Sequence, residues 1–271
     1  MSVKIKPLNN EQLNSIAPTL FTSEPHSEVS EKYHFIPTID VIEEIRANNW
    51  YPVNVAVANV RDEEKEGFQQ HCVRFRHFED LLNPKDNAVE LLLFNSHDRS
   101  KAFSISAGIF RFVCANGLVI SDSVFETYKI KHLGERDNDV ANAVANITAI
   151  KPKLMEKINK LESITLNQSE KESFAKYSIP LRFEEHLEIN HNDLLIPHRE
   201  EDSKDDLYTV LNVIQENLLR GNISGINKDT KRRFTSKEIT SISKDTEVNK
   251  GIWDIAEKIA SIKDSNYLVA A

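Results

Sequence analysis

The hydrophobic period of this chain changes once, near Asp137, and that switch constrains the fold more than any other feature. Before it, apolar residues alternate. In residues 51–58, Val53, Val55 and Val57 alternate with small or polar neighbours, which predicts a strand with one buried face. In residues 72–78, Val73 and Phe75 fall on one face and Arg74 and Arg76 on the other. Residues 89–94 form a longer apolar run, the pattern of a central strand. After the switch, Val140, Val144, Ile147, Leu154, Ile158 and Leu161 recur at helical spacing. They predict a long amphipathic helix, kinked or broken at Pro152. Strands first and helices later predict an α+β fold: a mostly antiparallel sheet packed by helices, followed by a helical C-terminal part.

The finer reading gives three regions. Residues 1–30 are polar, with Pro7, Pro18 and Pro25, and read as an extended N-terminal arm ordered by packing on the body or a neighbour. Residues 31–165 form the α+β core and residues 166–271 a mainly helical region. Within the core, 33–36 reads as a short strand. Ile39, Val41, Ile42 and Ile45 predict a helix to about Asn48, capped by Thr38 or Asp40. Residues 103–105 start a fourth strand or lead into a helix, and 107–114 fit either a helix or a strand. Asn116-Gly117 reads as a turn, and 124–132 as a further strand. Helices are expected at 168–177, at 206–219 (stopped near Gly221 and Gly225) and at 248–262. Between them, 184–205 reads as a polar loop and 227–234 as a basic turn.

A chain of 271 residues with 40% apolar and 28% charged residues can bury a sizeable core, so disorder throughout is excluded. No run reaches the roughly 18 apolar residues of a membrane span. The first residues lack an apolar signal core, so a cytoplasmic location is expected. Cys72 and Cys114 sit in apolar runs and read as reduced core residues. The net charge of −8 argues against a coat of positive charge, although nucleic-acid affinity follows the local patch and not the sum.

Motifs for bound chemistry are missing. There is no GxxxxGK[ST], GxGxxG or GxSxG, and seven glycines leave little room for a phosphate cradle. His186, His191 and His198 share a polar stretch with Glu184, Glu185, Glu188 and Asp193. Their spacing is irregular, and neither HExxH nor CxxC is present, so the stretch reads as a solvated loop. No cofactor or metal is expected, and no catalytic residue stands out.

Basic and aromatic residues are more informative. Arg74 and Arg76 share one strand face, and Lys129 and Lys131 share another. Arg111 lies between Phe110 and Phe112, where an arginine either pairs with a carboxylate or faces a cleft. Lys151 follows on the long helix, and Lys228, Lys231, Arg232 and Arg233 form a later cluster. Such cations track a phosphate backbone, while Trp50, Tyr51 and Tyr128 offer rings on which bases stack.

The segment 108–122, GIFRFVCANGLVISD, carries a resemblance. With Arg111, Cys114, Asn116, Gly117 and Leu118 in this order, it resembles the phage/plasmid-like protein family catalogued as a domain of unknown function 932. LYTVLNVIQENLLRGNISG, KRRFTSKEITSI, Asn249 and Trp253 extend the resemblance over about residues 30–262. The order of helix, Asn-Asn-Trp, antiparallel strands and long helix is also similar to phage single-strand annealing proteins. That second resemblance implies rings or filaments of a homo-oligomer and annealing without nucleotide or metal. It also implies a basic hairpin, which is not evident here. The expectation is a non-enzymatic mobile-element protein that binds single-stranded DNA for annealing in recombination. The alternatives are a counter-defence or regulatory factor binding a host protein, and a metal-dependent nuclease.

Overall fold

The computed structural model describes residues 6–29, 35–60, 62–111, 116–119, 128–129 and 139–270; for 116–119, 128–129, 139 and 265–270 only the backbone is described. The chain divides into two compact units: residues 1–119 with 123–152, and residues 120–122 with 153–271.

In the first unit, α1 (Asn10–Ile16) lies inside the segment read as an extended arm. Asn9 and Gln12 form a reciprocal capping box, which supplies partners for two otherwise orphan backbone donors. Leu13, Ala17 and Leu20 are fully buried, and Arg46 holds the segment through Asn10 Oδ1 and the Leu8 carbonyl. Helix α2 (Thr38–Ala47) buries Val41, Ile42 and Ile45, three of the four positions its periodicity selects, and its N-cap residue is Pro37 rather than the expected Thr38 or Asp40. The strands are β1 (Trp50–Val57), β2 (His71–His77), β3 (Asn87–Asn95), β4 (Ser104–Arg111), β5 (Asn116–Val119) and β6 (Tyr128–Lys129). Short helix α3 (Phe78–Leu82) joins β2 to β3. All pairings are antiparallel, in the order β1-β2-β3-β4-β5, with β6 also on β4.

Register sorts the side chains of this sheet. Val73 faces Leu93 and then Ile105, and Phe75 faces Leu91 and then Ala107, so these form one apolar face. His71 and Asn95 share that face, and Thr38 at the start of α2 bonds to both. Arg76, opposite Glu90, belongs to the other face, with Arg74, Leu92 and Ser106. Asn116-Gly117, where the sequence suggested a turn, instead opens β5, paired with Arg111 and Phe110. Residues 112–115 with Cys114, part of the expected strand 33–36 and most of 124–132 lie outside the described residues.

Helix α4 (Asp139–Ser163) continues through Pro152, where a kink or break was expected. In the second unit, α5 (Gln168–Ser178) starts at a capping box of Asn167 and Glu170. Helix α6 (Leu207–Arg220), capped by Asp206, is buried over almost its whole length. Helix α7 (Ile242–Ala270) begins six residues before its expected start and buries Val248, Ile252 and Trp253. Three short strands complete the unit: β7 (Leu187–Ile189), β8 (Ser224–Asn227) and β9 (Arg233–Thr235), antiparallel in the order β7-β8-β9. Thus part of the stretch read as a loop is a strand, and the basic turn joins two strands. The architecture is α+β with a mainly helical C-terminal part. Among the described residues no helix is long and apolar enough to cross a membrane.

Candidate nucleic-acid interface

Most of the cations and rings singled out in the first unit are already engaged. Glu90 is 1% exposed and accepts from Arg76 Nη2 at 2.6 Å and Arg74 Nε at 2.7 Å. Arg76 is equally buried and lies over the Phe110 ring, 4.5 Å from its centroid. Glu90 is the one carboxylate in an otherwise apolar run, and its burial is tolerated because two guanidiniums meet it. Arg111 is also buried. Trp50 is fully buried, with its indole N–H donated to Thr148 Oγ1 at 3.1 Å. Lys151 binds Asp80 at 2.7 Å and sits 5.5 Å over the Trp50 ring. Burial and the positive Lys151 lower the pKa of nearby His77. Tyr51 is half-buried against the exposed Phe78. For Tyr128 and Lys129 only the β6 backbone is described, and Lys131 lies outside the described residues.

The second unit holds a different set. Strands β8 and β9 form a hairpin whose turn carries Lys228, Lys231 and Arg232, with Arg233 opening β9. The turn is built by Asn227, whose side-chain oxygen accepts from the backbone N–H of Asp229 at 3.0 Å and of Thr230 at 2.9 Å. This Asx arrangement is a local reason for the chain to reverse here. Lys228 donates from its backbone N–H to the His186 carbonyl and from Nζ to the Glu185 carbonyl, which ties the turn to the start of β7. Lys231 adopts φ 56°, a conformation glycine or asparagine usually takes. The side chains of Lys231, Arg232 and Arg233 are exposed and make no ion pair among the described residues.

Beside the hairpin lies a groove of about 810 Å³. Its floor is the exposed face of the three strands, where Ile226 lies between Glu188 and Arg233; Ile189, Gly225 and Phe234, also neighbours across the strands, pack together on the opposite face. Gly225 is required by that packing: a Cβ there would lie 2.7 Å from Ile189 and from the Phe234 ring. Asn190, His191 and Asp193 form one rim, with Glu188, while Arg233 and Thr235 form the other. Sequence reading noticed the basic cluster but not the groove. The available signal was the alternation Ser-x-Ile across 224–226 beside Arg233 and Thr235, which three- and four-residue strands make faint.

Among the described residues no group of three or more His, Cys, Asp or Glu side chains is placed to hold an ion. His186 and His191 instead approach Glu184 and Glu172, and His198 meets Asn217 at 2.8 Å. Elsewhere in this unit, buried Glu216 is gripped by both Arg199 and Arg220, and the Arg199 pKa is raised chiefly by Glu216. These contacts support the fold and present no reactive group.

Comparison with known proteins agrees on family and says nothing on activity. Residues 25–253 match the family described as Domain of unknown function (DUF932). UPF0380 protein YfjQ and UPF0380 protein YafZ of Escherichia coli (strain K12) are each 31% identical over 255 residues, covering 94% of this chain and 92% of the relative. No solved structure matches. The family match spans most of the chain, including the hairpin and the α7 residues Asn249 and Trp253, and the chain belongs to the DUF932 family.

Proposed function

We propose that this protein binds single-stranded nucleic acid through the β8–β9 hairpin and serves strand annealing in the recombination of mobile elements, as a homo-oligomer. One observation carries the reading. Lys231, Arg232 and Arg233 project from a built turn with no carboxylate partner among the described residues, while Arg74, Arg76 and Lys151 are held by Glu90 and Asp80. Exposed cations without partners gain most from a polyanion, because each phosphate they neutralise releases condensed counterions. The contact surface thus moves from the large sheet, where sequence placed it, to the small one.

The test is a gel shift with single-stranded DNA at low salt, alongside a strand-annealing assay. Wild-type protein shifts the strand and accelerates annealing. The Lys231→Glu, Arg232→Glu double variant loses both while melting at the wild-type temperature. Full binding by the double variant sinks the hairpin assignment. Absence of binding by wild type, with capture of a defined host protein instead, favours the counter-defence reading.

A further inference from the structure

We infer that the groove beside the hairpin holds one unpaired nucleotide, with its base toward Glu188 and Asp193 and its phosphate toward Arg233, so that the site prefers bases carrying an exocyclic amino group. The inference rests on the hairpin reading and adds what the bound strand must present.

Three observations support it. The first is bipolarity. Glu188, Ile226 and Arg233 are direct neighbours across β7, β8 and β9. Two strand spacings place their Cα atoms about 10 Å apart. Neither makes an ion pair among the described residues, and both line the groove. Opposite charges left unpaired at that separation suit a ligand that is anionic at one end and donates N–H at the other. A nucleotide has that polarity. The second is the floor, where Ile226, 38% exposed, offers an apolar surface between the two charges. The third is size: about 810 Å³ lies within the range of small-ligand sites. It admits a nucleotide.

Recognition follows from hydrogen-bonding capacity. An ionised carboxylate only accepts. Cytosine offers an amino group to it, whereas thymine presents carbonyl oxygens on both sides of its single ring N–H. Asn190 is committed to the turn below, where its Oδ1 accepts from the Asn192 backbone at 3.2 Å, so it fixes the rim rather than reading the base.

The experiment measures affinity of the full chain for dC and dT homopolymers of equal length, by fluorescence anisotropy at neutral pH, with the same sequence as duplex for comparison. Wild-type protein binds dC about fivefold more tightly than dT, the discrimination of one good base contact, and binds duplex more weakly than either strand. Glu188→Gln, an exposed change that leaves the fold intact, both donates and accepts and so removes the preference while leaving the salt dependence unchanged. Equal binding of dC and dT by wild type, an unaltered preference in Glu188→Gln, or duplex binding as tight as single strand overturns the inference. In each of those cases salt-sensitive binding lost in the hairpin double variant still upholds the hairpin reading. No oligonucleotide binding at all sinks both.

Discussion

Thr38 Oγ1 lies 2.9 Å from His71 Nε2, 3.3 Å from His97 Nε2 and 3.0 Å from Asn95 Nδ2, and all four residues are fully buried. His71 Nδ1 lies 3.1 Å from the Gln69 carbonyl, which only accepts. The His71 proton therefore sits on Nδ1, and Nε2 accepts the Thr38 hydroxyl proton. Burial, then the nearby His97, pushes the His71 pKa down to about 3. Unfolded chain binds this proton below about pH 6.5 and native protein does not, so stability is whole above that pH and falls as acidity increases toward 3. The contribution of this group is at most about 1.4 kcal/mol per pH unit. His71→Gln should lose stability less steeply between neutral pH and mild acid, as read from urea midpoints. At the hairpin, Lys231 occupies a left-handed position that suits glycine. Lys231→Gly should hold or raise stability by up to about 1 kcal/mol and weaken nucleic-acid binding several-fold, which separates strain kept for contact from strain kept for folding. The residue scale was half legible in the sequence. Alternation placed Arg74 and Arg76 on one face correctly, but only register reveals Glu90 opposite them. An acid inside the run Val89–Phe94 was the sign that those arginines had a partner.

At the scale of elements, the centre of the large sheet depends on an ionic contact between β2 and β3. Glu90→Gln leaves two guanidiniums facing a neutral amide and should cost about 3–5 kcal/mol in chemical denaturation, the loss typical of breaking a buried pair from one side. Helix α6 ends at Gly221, with φ 77°, where a Cβ would lie 2.6 Å from the Lys237 backbone. Arg182 closes the same corner by donating to the Leu218 and Lys237 carbonyls. Gly67 has a similar φ of 88° but open space around it. Gly67→Ala should therefore lose about 1 kcal/mol, the conformational penalty alone, and Gly221→Ala clearly more, because backbone must move. Long, strongly periodic elements such as α2, α4, α6, β2 and β3 were legible from pattern. The three strands of the small sheet were not, because runs of three or four residues carry too few alternations to stand out from turns. The segment at Asn116-Gly117 shows the opposite error, in which strong turn residues open a strand that pairing with β4 holds.

For the whole molecule, a net charge of −8 and a nucleic-acid role coexist only if positive charge is concentrated. Residues 227–233 hold four cations and one acid, and the hairpin projects them together. The composition of that patch is legible in the chain, but its exposure is not. Large-sheet arginines of equal charge turned out to be internal, and burial is a property of three-dimensional pairing that composition does not carry. Family membership likewise follows from the whole chain, while the proposed function rests on one surface. The most direct measurement of that claim is the affinity for single-stranded DNA across a range of salt concentrations, for wild type and for Lys231→Glu, Arg232→Glu. With about 0.7 counterions released per phosphate on a single strand, contacts from three or four hairpin cations give a log–log slope of about −2 to −3. The double variant should flatten it by at least about 1.4, together with a large loss of affinity. A slope near zero in the wild type, or the same slope in both proteins, would contradict the assignment of this hairpin as the nucleic-acid contact.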